Sequence, residues 1–172
     1  MEHGADIYKE DNDGNTPLFL VCQNGYTEVV KYLVKNGVYI NKGNNKGATP
    51  LHIACQNGHI KVVKYLMEHG ADINKEDNDD ITPLLIACQE GHIELVKHLV
   101  EHEVDINKDA NNGITPFIIA CYNRHIEIVK YIVENGTDIN KGINTDATPL
   151  SIACGSEVED IILYLIKDSL IH

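Results

Sequence analysis

HLVEH, residues 98–102, is the stretch whose residue types and spacing could do chemistry. His98 and His102 stand four apart, with Glu101 beside the second. On a helix, such a pair shares one face and could grip a single zinc ion. The order H-x-x-E-H is also a metallopeptidase pattern. A peptidase would need a third ligand and a cleft built from facing elements. Two other sets invite the same question: His59, His92 and His125, and Cys22, Cys55, Cys88, Cys121 and Cys154. No phosphate loop, G-x-S-x-G elbow or paired-carboxylate arrangement stands out.

The elements that would position these residues repeat. Thr-Pro occurs at 16–17, 49–50, 82–83, 115–116 and 148–149, each step being 33 residues, and these pairs hold all five prolines. The five cysteines fall at the same period. A fixed period in the range of roughly 20–50 residues marks a stacked repeat protein. Within a unit, Thr is a helix cap and Pro suits the first helical position, where a missing N–H costs nothing. PLHIACQN (50–57) is a short apolar helix ended by Gly58. IKVVKYLMEH is a second helix with Val62, Val63, Leu66 and Met67 on one stripe, ended by Gly70. An extended stretch, GADINKEDND, leads to the next Thr-Pro. Gly14, Gly47 and Gly113 mark a turn two residues before Thr, where Asp80 and Asp146 stand in the other units. Helices this short are far below the roughly 12–15 residues at which isolated helices become marginal, so the units must stack.

TPLHIA (49–54), GHIKVVKYL (58–66) and HGADIN (69–74), recurring every 33 residues, resemble the ankyrin repeat. The resemblance implies an all-α solenoid of stacked helix-turn-helix repeats with β-hairpin or turn fingers, a concave face that binds other proteins, and no catalysis. The chain divides into a partial repeat at 1–10, repeats at 11–43, 44–76, 77–109 and 110–142, and a truncated or capping repeat at 143–172. MEHGADI (1–7) copies MEHGADI (67–73), which suggests a fragment of a longer chain; a short native start is the other reading. The family's TPLH histidine is present only at His52, with Phe19, Leu85, Ile118 and Ser151 in its place elsewhere. In similar proteins that histidine ties neighbouring loops. The last unit lacks the Gly-His step, reading GSEVED at 155–160, and has Leu163 where Lys31, Lys64, Lys97 and Lys130 stand.

The period also explains the chemical candidates. His98 falls in the slot of Tyr32, Tyr65, Tyr131 and Tyr164, and His102 in the polar helix-end slot of Asn36, His69, Asn135 and Asp168. Neighbours in the His59–His92–His125 file should lie about 10 Å apart, the spacing of packed helices, too far to share an ion. They are expected to pack the turn between helices. The cysteines are too far apart for disulfides for the same reason, and are expected to be small core residues. No metal and no cofactor is expected.

The sequence carries 14 Lys and Arg against 26 Asp and Glu, a net charge of −12. That balance opposes nucleic acid and anionic membranes. It fits a basic or neutral protein partner, or simple solubility. No apolar run reaches the roughly 18 residues of a membrane span, and MEHGADIYKE is no secretory signal. An odd cysteine count without C-x-x-C pairs fits a reducing, intracellular setting. A monomer is expected.

The main reading is a protein-binding scaffold whose fingers and first helices line the concave face. It would present Asn12, Asp13, Asn15, Gln23 and Asn24, then Asn45, Lys46, Gln56 and Asn57, then Asn78, Asp79, Ile81, Gln89 and Glu90, then Asn111, Asn112, Ile114, Tyr122 and Asn123. Ile81, Ile114 and Tyr122 would be its apolar anchors; the isoleucines could instead pack against neighbouring fingers. Alternatives are a substrate-recruiting arm of a larger enzyme or channel, and a spacer without a dedicated partner. The resemblance further implies β-hydroxylation as a modification of Asn41, Asn74, Asn107 and Asn140.

Overall fold

The computed structural model describes residues 5–142, 148–155 and 159–169. The turn expected at Asp146, the centre of the GSEVED step and the first four residues of the opening half repeat lie outside them. Ten helices are described, in antiparallel pairs: α1 (Pro17–Gln23) with α2 (Thr27–Lys35), α3 (Pro50–Gln56) with α4 (Ile60–Glu68), α5 (Pro83–Gln89) with α6 (Ile93–Val100), α7 (Pro116–Tyr122) with α8 (Ile126–Glu134), and α9 (Pro149–Gly155) with α10 (Glu159–Ser169). First helices stack in one layer and second helices in another.

Each first helix starts where the Thr-Pro pair places it. The hydroxyls of Thr16, Thr82 and Thr115 accept the amide N–H of Phe19, Leu85 and Ile118, so an orphan donor of the first turn is satisfied. At Thr49 the histidine takes part instead. His52 Nδ1 lies 3.1 Å from the Thr49 amide and 2.7 Å from its hydroxyl, while Nε2 reaches the Ile81 carbonyl at 3.0 Å. Where Phe19, Leu85 and Ile118 replace it, the threonine cap remains and no side chain in that slot can make the reach to the next finger.

The core is a continuous apolar seam. Leu18, Leu51, Leu84 and Phe117 from the first helices meet Leu33, Leu66, Leu99 and Ile132 from the second, all buried. Each such side chain contributes roughly 1.5–3 kcal/mol by leaving water. Met67 is only partly buried, so the apolar stripe of α4 is narrower than expected. Cys22, Cys55, Cys88 and Cys121 are buried core residues, and burial pushes the Cys22 and Cys121 thiols up to about 12. Cys154 departs from the expectation: it is exposed.

Among the described residues no strand forms, so the fingers are turns rather than hairpins of regular sheet. Each is closed by one backbone bond across its base, from the amides of Asp11, Asn44, Asp77 and Ala110 to the carbonyls of Asn15, Ala48, Ile81 and Ile114, at about 3.0 Å. The left-handed turn position holds glycine at 14, 47 and 113, and Asp80 adopts it at φ 57°.

Candidate protein-binding face

The finger tips are shaped by side chains that cap their own turns. An Asp11 carboxylate oxygen accepts the amides of Asp13 and Asn15, and Asp77 does the same for Asp79 and Ile81. The Asn44 amide oxygen serves Lys46 and Ala48. In the fourth finger Ala110 has no acceptor, and Asn112 takes the Ile114 amide instead. These bonds hold the Asp11 carboxyl below the usual carboxylate range, the Asn15 side-chain bond being the largest cause.

Adjacent tips are then laced together. The Asn45 amide donates to the Asp13 carbonyl and its side chain to the Asn12 carbonyl, at 3.0 and 3.1 Å. Asn78 repeats this onto Lys46 and Asn45, at 2.9 and 3.1 Å. The Asn111 amide reaches the Asp79 carbonyl. A side chain at Gly47 would meet the Asn78 amide oxygen at 2.6 Å, so the approach needs glycine there. Asn45 and Asn78, expected to face a partner, thus serve first as rungs between fingers. Asn15 and Asn123 are also engaged, Asn15 with Asp11 and Asn44, and Asn123 with the Gln89 carbonyl.

Most of the expected face is exposed, Asn12, Asn24, Asn45, Asn57, Asn78 and Asn111 included; Asn15, Asn123 and the two isoleucines are the half-buried ones. Asp13, Lys46, Asp79 and Asn112 are exposed at the tips, and Gln23, Gln56, Gln89, Glu90 and Tyr122 at the ends of the first helices. Tyr122 is 65% exposed. Ile81 and Ile114 are only half-buried rather than open, because each lies at the base of its finger beside the next helix cap. Between the second and third units the structure gathers Lys46, Gln56, Ile81, Gln89 and Glu90 around a groove of about 310 Å³. Ile53 and Ile86 also line it. Sequence reasoning passed over these two, although Leu20, Ile53, Ile86, Ile119 and Ile152 form a visible apolar file at the outer edge of the first helices.

The histidine files resolve into fasteners. Nε2 of His59, His92 and His125 reaches the carbonyl of Gln23, Gln56 and Gln89 at 3.0–3.1 Å, one unit back. Gly25, Gly58 and Gly91 lie over these rings; a Cβ there would stand 2.5–2.8 Å from the imidazole. In HLVEH, His102 donates through Nδ1 to the His98 carbonyl at 2.7 Å. His69 does so to Tyr65, and the Asn36 and Asn135 amides do so to Tyr32 and Tyr131. The second histidine is therefore a helix-end cap of the kind each of the first four units carries. His98 is held toward its neutral form by burial, then by His102 and Lys64. Among the described residues, no three His, Cys, Asp or Glu side chains converge where they could hold one ion, and no helix is long and apolar enough to cross a membrane.

Comparison with known proteins agrees with this geometry. The family described as "Ankyrin repeats (3 copies)" matches residues 1–77 and 74–143. A 37-residue stretch is 40% identical to Protein phosphatase 1 regulatory subunit 27 of Mus musculus, and equally to that of Homo sapiens. The match spans 22% of this chain and 24% of either relative's length. With the family matched along most of its length and the Thr-Pro-capped helix pairs stacked as that family requires, the chain belongs to the ankyrin repeat family.

Proposed function

We propose that this protein is a non-catalytic scaffold that binds a partner protein along its concave face, between the finger tips and the ends of the first helices. Ankyrin repeats are protein-interaction modules, and the observation that carries the reading here is the groove between the second and third units. It combines half-buried Ile53, Ile81 and Ile86 with a rim of Lys46, Gln56, Gln89 and Glu90. An apolar centre with a polar rim is the composition of binding hot spots. The laced fingers hold that surface rigid before a partner arrives, which lowers the ordering cost of binding. The net charge of −12 favours a basic or neutral partner. In this reading Tyr122 extends the patch into the fourth unit. The test is affinity capture with the wild-type chain and with Ile53→Ser/Ile86→Ser from an extract of its own cells. Proteins recovered by the wild type and lost by the variant, with melting temperature retained, support the concave face. Equal recovery by both refutes it.

A second reading, a recruiting arm that brings a substrate to a catalytic protein, is favoured by one observation. The relatives that share 37 residues with it are named as regulatory subunits of a phosphatase. Recovery of a catalytic subunit in the same capture, with its turnover on a given substrate altered by this chain, distinguishes the arm from a plain scaffold.

A further inference from the structure

Three of the first four units end their first helix on the same residue. Asn24, Asn57 and Asn123 hold that position, and Glu90 holds it in the third unit. The asparagine works as a helix-end cap. Its side-chain amide donates to a helix carbonyl: Asn24 to Leu20 at 2.7 Å, Asn57 to Ile53 at 2.9 Å, and Asn123 to Gln89 of the unit before at 3.2 Å. An ionised glutamate has no donor and cannot make this bond. It also sets a negative charge at the carbonyl end of α5, where the helix dipole is itself negative. On both counts Glu90 serves the fold less well than asparagine would.

Nothing beside it offsets that cost. The Glu90 carboxylate accepts the Gln89 side-chain amide at 3.0 Å, a neutral donor. Among the described residues no ion pair joins Glu90 to a cation. The side chain is exposed, and it lines the groove between the second and third units together with Ile53, Ile81 and Ile86. Two other charged side chains line that groove. Asp77 is occupied by the amides of Asp79 and Ile81. Lys46 stands at the second finger tip and, among the described residues, is in no ion pair either. The groove therefore has a direction, with a cation on its finger side and an open carboxylate beside the helix ends.

We propose that Glu90 determines the specificity of this groove, by taking a lysine or arginine of the partner protein that stands beside an aliphatic side chain seated on Ile53, Ile81 and Ile86. The inference rests on the concave-face reading and goes beyond it by naming the chemistry of the occupant. The aliphatic group covers apolar surface that the array leaves half-open, and the basic group supplies the cation that Glu90 lacks. Covering the groove also shields that pair from water, which strengthens it. Lys46 repels a basic residue from the finger side, so the basic group lies over the end of α5.

The test uses the full chain and a library of random peptides displayed on phage. Peptides recovered by the wild type should carry Lys or Arg next to Ile, Leu or Val. The best of them, made synthetically, should bind Glu90→Asn about tenfold less tightly, the size of one charge-assisted contact. Ile53→Ser/Ile86→Ser should abolish its binding at retained melting temperature. Glu90→Lys should select Asp or Glu in place of the basic residue. Glu90→Asn restores the cap of the other units, so its urea midpoint should rise, and lost binding cannot then be lost folding. Peptides without a basic preference, held equally by the wild type and Glu90→Asn and lost in Ile53→Ser/Ile86→Ser, would overturn the role of Glu90 and leave the concave face standing. Peptides indifferent to Ile53→Ser/Ile86→Ser, or no enrichment at all, would remove the groove as a docking site and this inference with it. A lower urea midpoint in Glu90→Asn would make Glu90 a residue of the fold and likewise overturn the inference.

Discussion

Replacing Gly58 by alanine separates two reasons for a glycine at one position. Gly58 has φ +72°, where an L side chain is strained, and its added Cβ would stand 2.8 Å from His92 Cε1. Gly70, which follows the second helix of the same unit, has φ +90° and nothing within 4 Å of its added Cβ. Both substitutions therefore carry a left-handed backbone cost of about 1–2 kcal/mol. Only Gly58→Ala also displaces His92, whose Nε2 lies 3.1 Å from the Gln56 carbonyl. Losing that bond adds about 0.5–1.5 kcal/mol, and the half-buried ring must also repack. Gly58→Ala should thus destabilise the array by about 1 kcal/mol more than Gly70→Ala. The assay is urea unfolding followed by circular dichroism, with slopes compared, because repeat arrays can lose cooperativity. A cycle with His92→Ala isolates the contact: in that background the two glycine substitutions should cost the same. Equal costs in the wild-type background would refute the reading of the histidine file as inter-repeat fasteners.

Other outcomes follow from the same geometry. Arg124 and Glu103 occupy left-handed positions, at φ 65° and 60°, where other units have glycine. Arg124→Gly and Glu103→Gly should each stabilise the chain, by about 0.5–1 kcal/mol after the entropy of the unfolded glycine is set against the relieved strain, as a rise in urea midpoint. His52 is held toward its neutral form by burial, so its folded pKa lies below its unfolded value near 6.5. The unfolded chain therefore takes up the proton first. Stability from this group is full above pH 6.5 and lost as pH falls below it, a slope that His52→Leu should flatten in urea midpoints between pH 7.5 and 5. Asn41, Asn74 and Asn107 are candidates for β-hydroxylation, as is Asn140, and intact mass of native protein should then show species heavier by one oxygen; their absence would remove the assignment.

The sequence made the framework legible because its markers are local. Thr-Pro fixes a helix start by capping and by ring geometry, whichever unit stands next to it. Four of the five cysteines sit in the core as expected, while Cys154 is exposed in the last unit. What depends on the relation between units was harder to see. An asparagine at a turn tip reads the same whether it only faces solvent or also bridges to the neighbouring backbone, so the rung bonds of Asn45 and Asn78, both of which remain exposed, could not be read from the sequence. The depth of Ile81 and Ile114 depends on how closely fingers approach the next helix cap. Ile53 and Ile86 carry no mark in the sequence beyond their apolarity, and only the stacking geometry places them along a groove.

The central claim is that the concave face binds protein, and Tyr122 tests it most directly. It is 65% exposed at the end of α7, so its loss should leave the fold intact. With the captured partner in hand, calorimetric titration should show the affinity of Tyr122→Ala lowered by at least about tenfold, as for an aromatic anchor, at unchanged melting temperature. Lys130→Ala, on the second-helix layer, should leave affinity unchanged. An unaltered affinity in Tyr122→Ala together with a loss in Lys130→Ala would contradict the account and move the interface to the opposite face.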